Sequence, residues 1–243
     1  MREAFMDCMN FLHVLFKPYK NMYIPIGHSH SASGTVLDIG SGGGEHIESI
    51  LTAAQVHDTK LPKLILSDLF PQATRYQKLQ QKFGEQSTAY ISTPLDMNAV
   101  DQEYDALMIC SALHHFKPEQ IEQLFKDVAS NRKSITILEI SERTIPAFVN
   151  SMFGPFILCP LAAIFSPNPK WQKILLTIIP IIPLMFMWDS IVSSLRSYTN
   201  HEIQTMFLNA EGKTEDSSAF TIESGGFLYA PFQKANYFIA QRK

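Results

Sequence analysis

The chain has 243 residues, of which 46% are hydrophobic, 11% aromatic and 18% charged. That length and apolar content suffice for a buried core without disulfides and exclude disordered, collagen-like and low-complexity classes. A formal charge of −3, from 20 basic and 23 acidic residues, shows no basic footprint for nucleic acid. Three scattered cysteines, Cys8, Cys110 and Cys159, fit neither a disulfide framework nor a metal site, which points to a reducing, cytoplasmic setting.

Taken in chain order, Phe5, Met9, Leu12 and Phe16 recur at helical spacing and predict an amphipathic helix that stops near Pro18. Glu3 and Asp7 and the lack of a small-residue cleavage site do not suit a secretory signal. Short apolar runs follow at residues 35–39, 63–68, 88–92, 105–110 and 134–140, each bounded by turn or polar residues as buried parallel strands are. Helical patterns alternate with them. The clearest opens on Pro118, which suits a first helical position, and repeats Ile121, Leu124, Phe125 and Val128. Thr199 or Asn200 can cap a helix near the end. Two late strands, 219–224 and 235–240, are predicted to form an antiparallel edge hairpin around a loop rich in Gly and aromatic residues. The expectation is an α/β class: a Rossmann-like, doubly wound, mostly parallel seven-stranded sheet with a late antiparallel hairpin strand.

The chemistry-bearing motif is Asp38-Ile39-Gly40-Ser41-Gly42-Gly43-Gly44, a strand running into a Gly-rich turn and then a helix. Open α/β sheets bind ligands at such turns because a backbone without Cβ atoms can approach the ligand. The dinucleotide form of the motif requires Gly where this chain has Glu45, and a carboxylate at a helix start repels a pyrophosphate. No Walker lysine follows either.

The Asp38–Gly44 run resembles the first motif of class I S-adenosylmethionine-dependent methyltransferases, and the likeness extends over residues 35–141. The resemblance implies that Asp38, Gly40, Ser41, Gly42 and Gly44 face the methionine portion of S-adenosylmethionine. Asp68, at the end of the second strand, would accept both ribose hydroxyls, with Leu69 beside it as an apolar wall. Asp96 and Met97, after the third strand, resemble the adenine-contacting segment, and Ser111 belongs to the loop after the fourth strand. Structural readings stay open beside these: Asp38 as a brace of the turn, Asp68 as a strand-end cap and Asp96 as turn chemistry. His114 and His115 invite an acid–base reading, but such a pair is as readily one buried ring and one surface ring. No residues suggest a metal.

Between Thr144 and Trp188 the charged composition collapses. Only Lys170 and Lys173 are charged in these 45 residues, where the chain average predicts about eight. The first uncharged run, 144–169, is long enough to span a bilayer. Pro146, Pro155, Pro160 and Gly154 are expected to break it, and Pro180 and Pro183 interrupt the second run. Two readings follow: proline-kinked helices forming a lid over an acceptor pocket, with a homo-oligomer face through 144–188, or a peripheral membrane contact with Trp171 and Trp188 at headgroup level. The predicted organisation is one methyltransferase domain. It comprises a helical cover (1–34), a cofactor-binding core (35–141), an apolar insertion or lid (142–198), and a last helix with late strands (199–243).

The run Trp188–Thr199, with Ile181-Ile182-Pro183-Leu184 before it, resembles a segment of bacterial members of this methyltransferase class. In similar enzymes this region lines the acceptor side. On that basis Asp189, Arg196 and Tyr198 are the catalytic candidates, Asp189 to orient or deprotonate and Arg196 to clamp an anionic group; the other reading of Asp189 and Arg196, two helical turns apart, is an ion pair that pins the lid. Glu139 is a further acceptor-side candidate, and Tyr19 and Tyr23 would close over the cofactor. The resemblance implies in-line methyl transfer to a small, partly apolar acceptor. Two alternatives stay open: a membrane-interface methyltransferase of a lipid or quinone-like acceptor, and a non-catalytic cofactor-binding subunit docked through the insertion.

Overall fold

The computed structural model describes residues 11, 13–96, 100, 103–165, 171–213, 217–230 and 233–243, with the side chain of Lys173 excepted. In chain order its elements are α1 (Tyr23–Ser29), β1 (Thr35–Ile39), α2 (Glu45–Val56), β2 (Lys63–Ser67), α3 (Ala73–Phe83), β3 (Thr88–Tyr90), β4 (Ala106–Cys110), α4 (Pro118–Ser130), β5 (Ser134–Glu139), α5 (Ile145–Phe165), α6 (Trp171–Ile178), α7 (Ile181–Arg196), α8 (Asn200–Glu211), β6 (Phe220–Ala230) and β7 (Gln233–Arg242). Two compact units result. One holds Tyr19–Ile140, Tyr198–Phe227 and Ala235–Lys243, and the other Met1–Pro18, Ser141–Ser197 and Leu228–Lys234.

The first unit is built on the seven-stranded, mostly parallel α/β sheet that the alternation of runs predicts, in the order β3-β2-β1-β4-β5-β7-β6. β1 pairs in parallel with both β2 and β4, and β5 in parallel with β4, while β7 runs antiparallel to β5. Strand order reverses between β1 and β4, which is where an open sheet leaves a crevice at the carboxyl ends of its strands. All five residues of β4 are buried, in keeping with its uninterrupted apolar run. Pro118 does open α4, where the Gln120 side chain accepts the Lys117 N–H at 3.0 Å. Thr199 caps α8 through a reciprocal box with Glu202. The helices α4 and α8 close over one face of the sheet around Phe207. This fully buried ring meets Phe125, Phe220 and Phe238 with centroids 5.5, 5.1 and 5.9 Å away.

Two expectations need correction. β6 does not stop before the Gly-rich stretch but runs through Gly225 and Gly226 to Ala230. The cause is cross-strand packing: a Cβ on Gly225 would lie 2.7 Å from the Tyr237 hydroxyl, so the tyrosine ring covers the space that the glycine vacates. Secondly, the prolines do not break the first apolar run. Ile145–Phe165 is one helix of 21 residues with Pro155 and Pro160 inside it. Each proline removes a single rung, to the carbonyls of Ser151 and Phe156, and Pro146 sits in the first turn, where no partner for its N–H is missing.

The second unit packs α5 against α7 with α6 alongside. Its core is small, made by Cys159, Ala162, Ile182 and Phe186, with Phe11 and Leu176 packed against it. Ser151 and Ser194 place their hydroxyls 3.5 Å apart across α5 and α7. Of the predicted N-terminal helix, residues 13–16 are helical and Lys17 ends the run at φ +46; Phe5, Met9 and Leu12 lie outside the described residues.

Candidate functional site

The Gly-rich turn must reverse the chain from β1 into α2 within five residues. Gly40, Gly42 and Gly44 all sit at positive φ (+77, +54 and +76), which L side chains adopt only with strain. Ser41 locks the turn: its backbone N–H donates to the Ser67 carbonyl at 2.9 Å, and its hydroxyl donates to the Asp38 carboxylate. The His46 Nε2 donates to the same carboxylate oxygen, Oδ2, at 2.8 Å. Asp38 is fully buried, and its other oxygen, Oδ1, has no hydrogen-bond partner. Burial pushes the His46 imidazole down, yet the adjoining Asp38 carboxylate, its hydrogen bond and Glu45 together hold it above its ordinary value.

Asp68 faces the turn from the end of β2. Its Oδ2 accepts the Gly42 N–H at 2.8 Å and its Oδ1 the Phe70 N–H at 2.7 Å. The Leu95 N–H donates to the Asp68 carbonyl at 3.0 Å and so ties the segment after β3 to this point. Beneath the turn, the Tyr76 hydroxyl donates to the Gly42 carbonyl at 2.8 Å and Arg75 Nε to the Gly43 carbonyl at 3.3 Å. Burial, with Asp68 nearby, pushes the Tyr76 phenol well up, so it acts as a fixed donor. A Cβ on Gly42 would meet nothing within 4 Å, whereas one on Gly44 would lie 2.6 Å from Leu79 Cδ1. The turn is therefore tight against the sheet at Gly44 and open at Gly42. Leu69 and Phe70 stand beside it 50% and 78% exposed, an apolar pair next to a carboxylate.

Across the crevice, Ser111 follows β4 in the left-handed region at φ +47. Its hydroxyl pairs with that of the buried Tyr19 at 2.7 Å. The buried Glu139, last residue of β5, accepts the Leu113 N–H at 3.0 Å and lies 3.2 Å from His114 Nδ1. The bond fixes the orientation of the His114 ring, which is itself buried. Burial raises both the Tyr19 phenol and the Cys110 thiol, which keeps the cysteine in its unreactive form.

The structure thus brings Asp38, Gly40, Ser41, Gly42, Gly44, Asp68 and Leu69 to one crevice, with Ser111 on its β4 side. Asp96 is exposed and follows the buried Leu95; Met97 lies outside the described residues. Asp189 and Arg196 are exposed on α7, in the other unit, and Tyr198 is half-buried against the sheet core. The Tyr23 ring stacks on His57 at 5.0 Å. Sequence reasoning missed His46, Tyr76, Arg75 and Phe70. Of these, Phe70 carried a signal, being a large apolar residue two positions after the strand-end acid.

The ionisable groups nearest the turn set its sign. Asp68 and Glu45 are acidic, and Asp38 is paired with the His46 ring. A Cβ on Gly43 would collide with the Glu45 carboxylate, which folds back over the helix start where a pyrophosphate would need to sit. Arg75 is occupied by Glu48, which also holds Lys82 at 2.7 Å. Carboxylates this close to the turn disfavour an anionic ligand there.

No family model matches the chain, and no curated protein matches it. Solved structures do. The plantazolicin methyltransferase BpumL in complex with SAH (S-adenosylhomocysteine) superposes with a TM-score of 0.56 at 13% identity, over 98% of this chain and 90% of its own. An O-methyltransferase family 2 protein from Planctomyces limnophilus, in complex with apigenin, also gives 0.56, at 12% identity. There the match covers 100% of this chain and 61% of the other. The magnesium protoporphyrin IX methyltransferase of Synechocystis, with bound SAH, gives 0.51 at 12% identity, over 93% and 82% of the two chains. The fold is the class I methyltransferase fold. In this chain the Gly-rich turn after β1 and Asp68 after β2 stand at the strand-order reversal.

Proposed function

We propose that the protein is an S-adenosylmethionine-dependent methyltransferase that acts on a small, partly apolar acceptor. The observation that carries this reading is the Gly42 turn, open above the chain and surrounded by carboxylates. A cofactor that is cationic at sulfur and amine and bears a ribose diol fits that chemistry, and an anionic dinucleotide does not. The structures of BpumL and of the Synechocystis enzyme, both with SAH, support the same choice.

When bound, the cofactor supplies an electrophilic methyl group. This chain's residues hold and orient it. Each Asp68 oxygen already takes one backbone N–H and keeps a lone pair for a ribose hydroxyl. Gly40, Ser41, Gly42 and Gly44 would line the cofactor with their backbone, most openly at Gly42, and buried Asp38 braces the turn through Ser41 and His46. Leu69 with Met97 and Asp96 would form the adenine side, and Ser111 the side nearest β4. Where the acceptor nucleophile carries a proton, the His114–Glu139 pair offers a place for it, with Glu139 stabilising the ring that takes it. Asp189, Arg196 and Tyr198 are proposed as acceptor-side contacts.

Amide NMR tests the placement. Adding SAH is expected to shift the resonances of Gly40–Gly44 and Asp68–Phe70. Shifts confined to other segments would overturn the reading.

A further inference from the structure

We propose that the unit built from α5, α6 and α7 docks on the surface of an anionic lipid bilayer. α5 has a mean hydropathy of 1.8 over its most apolar window, yet only 22% of that window is buried. A helix that apolar in a protein core is mostly buried. Instead Phe153, Ile157 and Phe165 are 61%, 65% and 67% exposed, and Ile178 on α6 is 74% exposed. Exposed apolar surface on this scale marks a partner surface.

Charge and aromatic placement identify the partner. Residues 144–188 contain no Asp or Glu, and their only charges are Lys170 and Lys173. Anionic headgroups over a hydrocarbon layer meet both features at once. Trp171 and Trp188, both more than two-thirds exposed, sit at the start of α6 and midway along α7, and indole rings favour headgroup depth. With 8 and 16 residues, α6 and α7 are shorter than a bilayer span requires, and α5 shares its core with α7. α5, with 21 residues, has the length and hydropathy of a span, but its core is shared with the shorter α7, and the proposed docking places the unit in the interface. This inference stands whether or not the methyltransferase reading holds.

The two tryptophans are the only ones in the chain, so intrinsic fluorescence reports on this face directly. The purified full chain is mixed with vesicles of phosphatidylcholine alone, or of phosphatidylcholine with phosphatidylglycerol, and floated on a density gradient. Expected are a blue shift of the emission and co-flotation, with about tenfold stronger binding to the anionic vesicles. High salt should weaken that preference and leave the apolar part. The double variant Ile157→Asp, Ile178→Asp changes only exposed side chains and should lose flotation while keeping the wild-type thermal melt. An emission maximum unmoved by either vesicle, or equal flotation of wild type and variant, would overturn the proposal. So would a stable dimer in sedimentation that stays off both vesicles.

Discussion

Asp68 joins the ends of β1 and β2 through two backbone N–H groups and leaves its remaining lone pairs toward the crevice. Replacing it with alanine removes both braces and both ribose acceptors. Charge-assisted hydrogen bonds contribute about 1.5–3 kcal/mol each, so Asp68→Ala is expected to weaken S-adenosylmethionine binding by at least about tenfold. Asp68→Asn, which keeps one carbonyl acceptor, should fall between; calorimetric titration of the three proteins checks the order. Asp38, Asp68 and the glycines were legible in the sequence because they sit together at strand ends in a run that resembles a known motif, although Asp38 also braces the turn through Ser41 and His46. Tyr76 and His46 were not. Tyr76 reaches Gly42 from 34 positions away, and only the packing of α3 against the turn brings them together. His46 reads as an ordinary helix residue until the turn folds it onto Asp38.

Among the elements, the turn between β1 and α2 separates two kinds of glycine. Gly42 requires its backbone conformation but has free space around it, whereas Gly44 has neither freedom, with Leu79 and Leu66 pressed against the place of a Cβ. Gly44→Ala should therefore lower stability more than Gly42→Ala. Backbone strain alone gives about 1–2 kcal/mol, and overpacking adds about 1–3 kcal/mol at Gly44 only. Urea denaturation of the two variants measures the gap, and equal losses would contradict this packing. The strands and α4 were readable from short apolar runs and 3.6-residue spacing. The misreadings at α5 and β6 share a cause: proline and glycine penalties are local, and tertiary packing overrides them. Pro155 is itself buried within α5, and Gly225 lies under Tyr237. A local rule sees the breaker but not what covers it.

At the scale of the whole molecule, a net charge of −3 conceals a carboxylate-lined crevice in one unit and a charge-poor, apolar surface on the other. Two histidines, the half-buried His30 and the buried His46, make stability respond to pH in opposite senses. Burial against Thr136 lowers His30 to about 4, so the unfolded chain, with a value near 6.5, takes up the proton first. Its contribution is complete above about pH 6.5 and is lost as the pH falls toward 4, about 2 kcal/mol by pH 5. The raised value of His46 works the other way: its contribution is present below the unfolded value and is lost as the pH climbs through the folded one. Urea midpoints at pH 7 and pH 5 should therefore differ less in His30→Gln than in the wild type, and an unchanged difference would contradict the burial argument. A paired equilibrium titration of the full chain reads the sign and shape of the Gly42 crevice. Saturable one-to-one binding of S-adenosylmethionine and no binding of NAD at the same concentrations are expected; NAD binding, or no S-adenosylmethionine binding at millimolar levels, would contradict an acidic, open turn at Gly42.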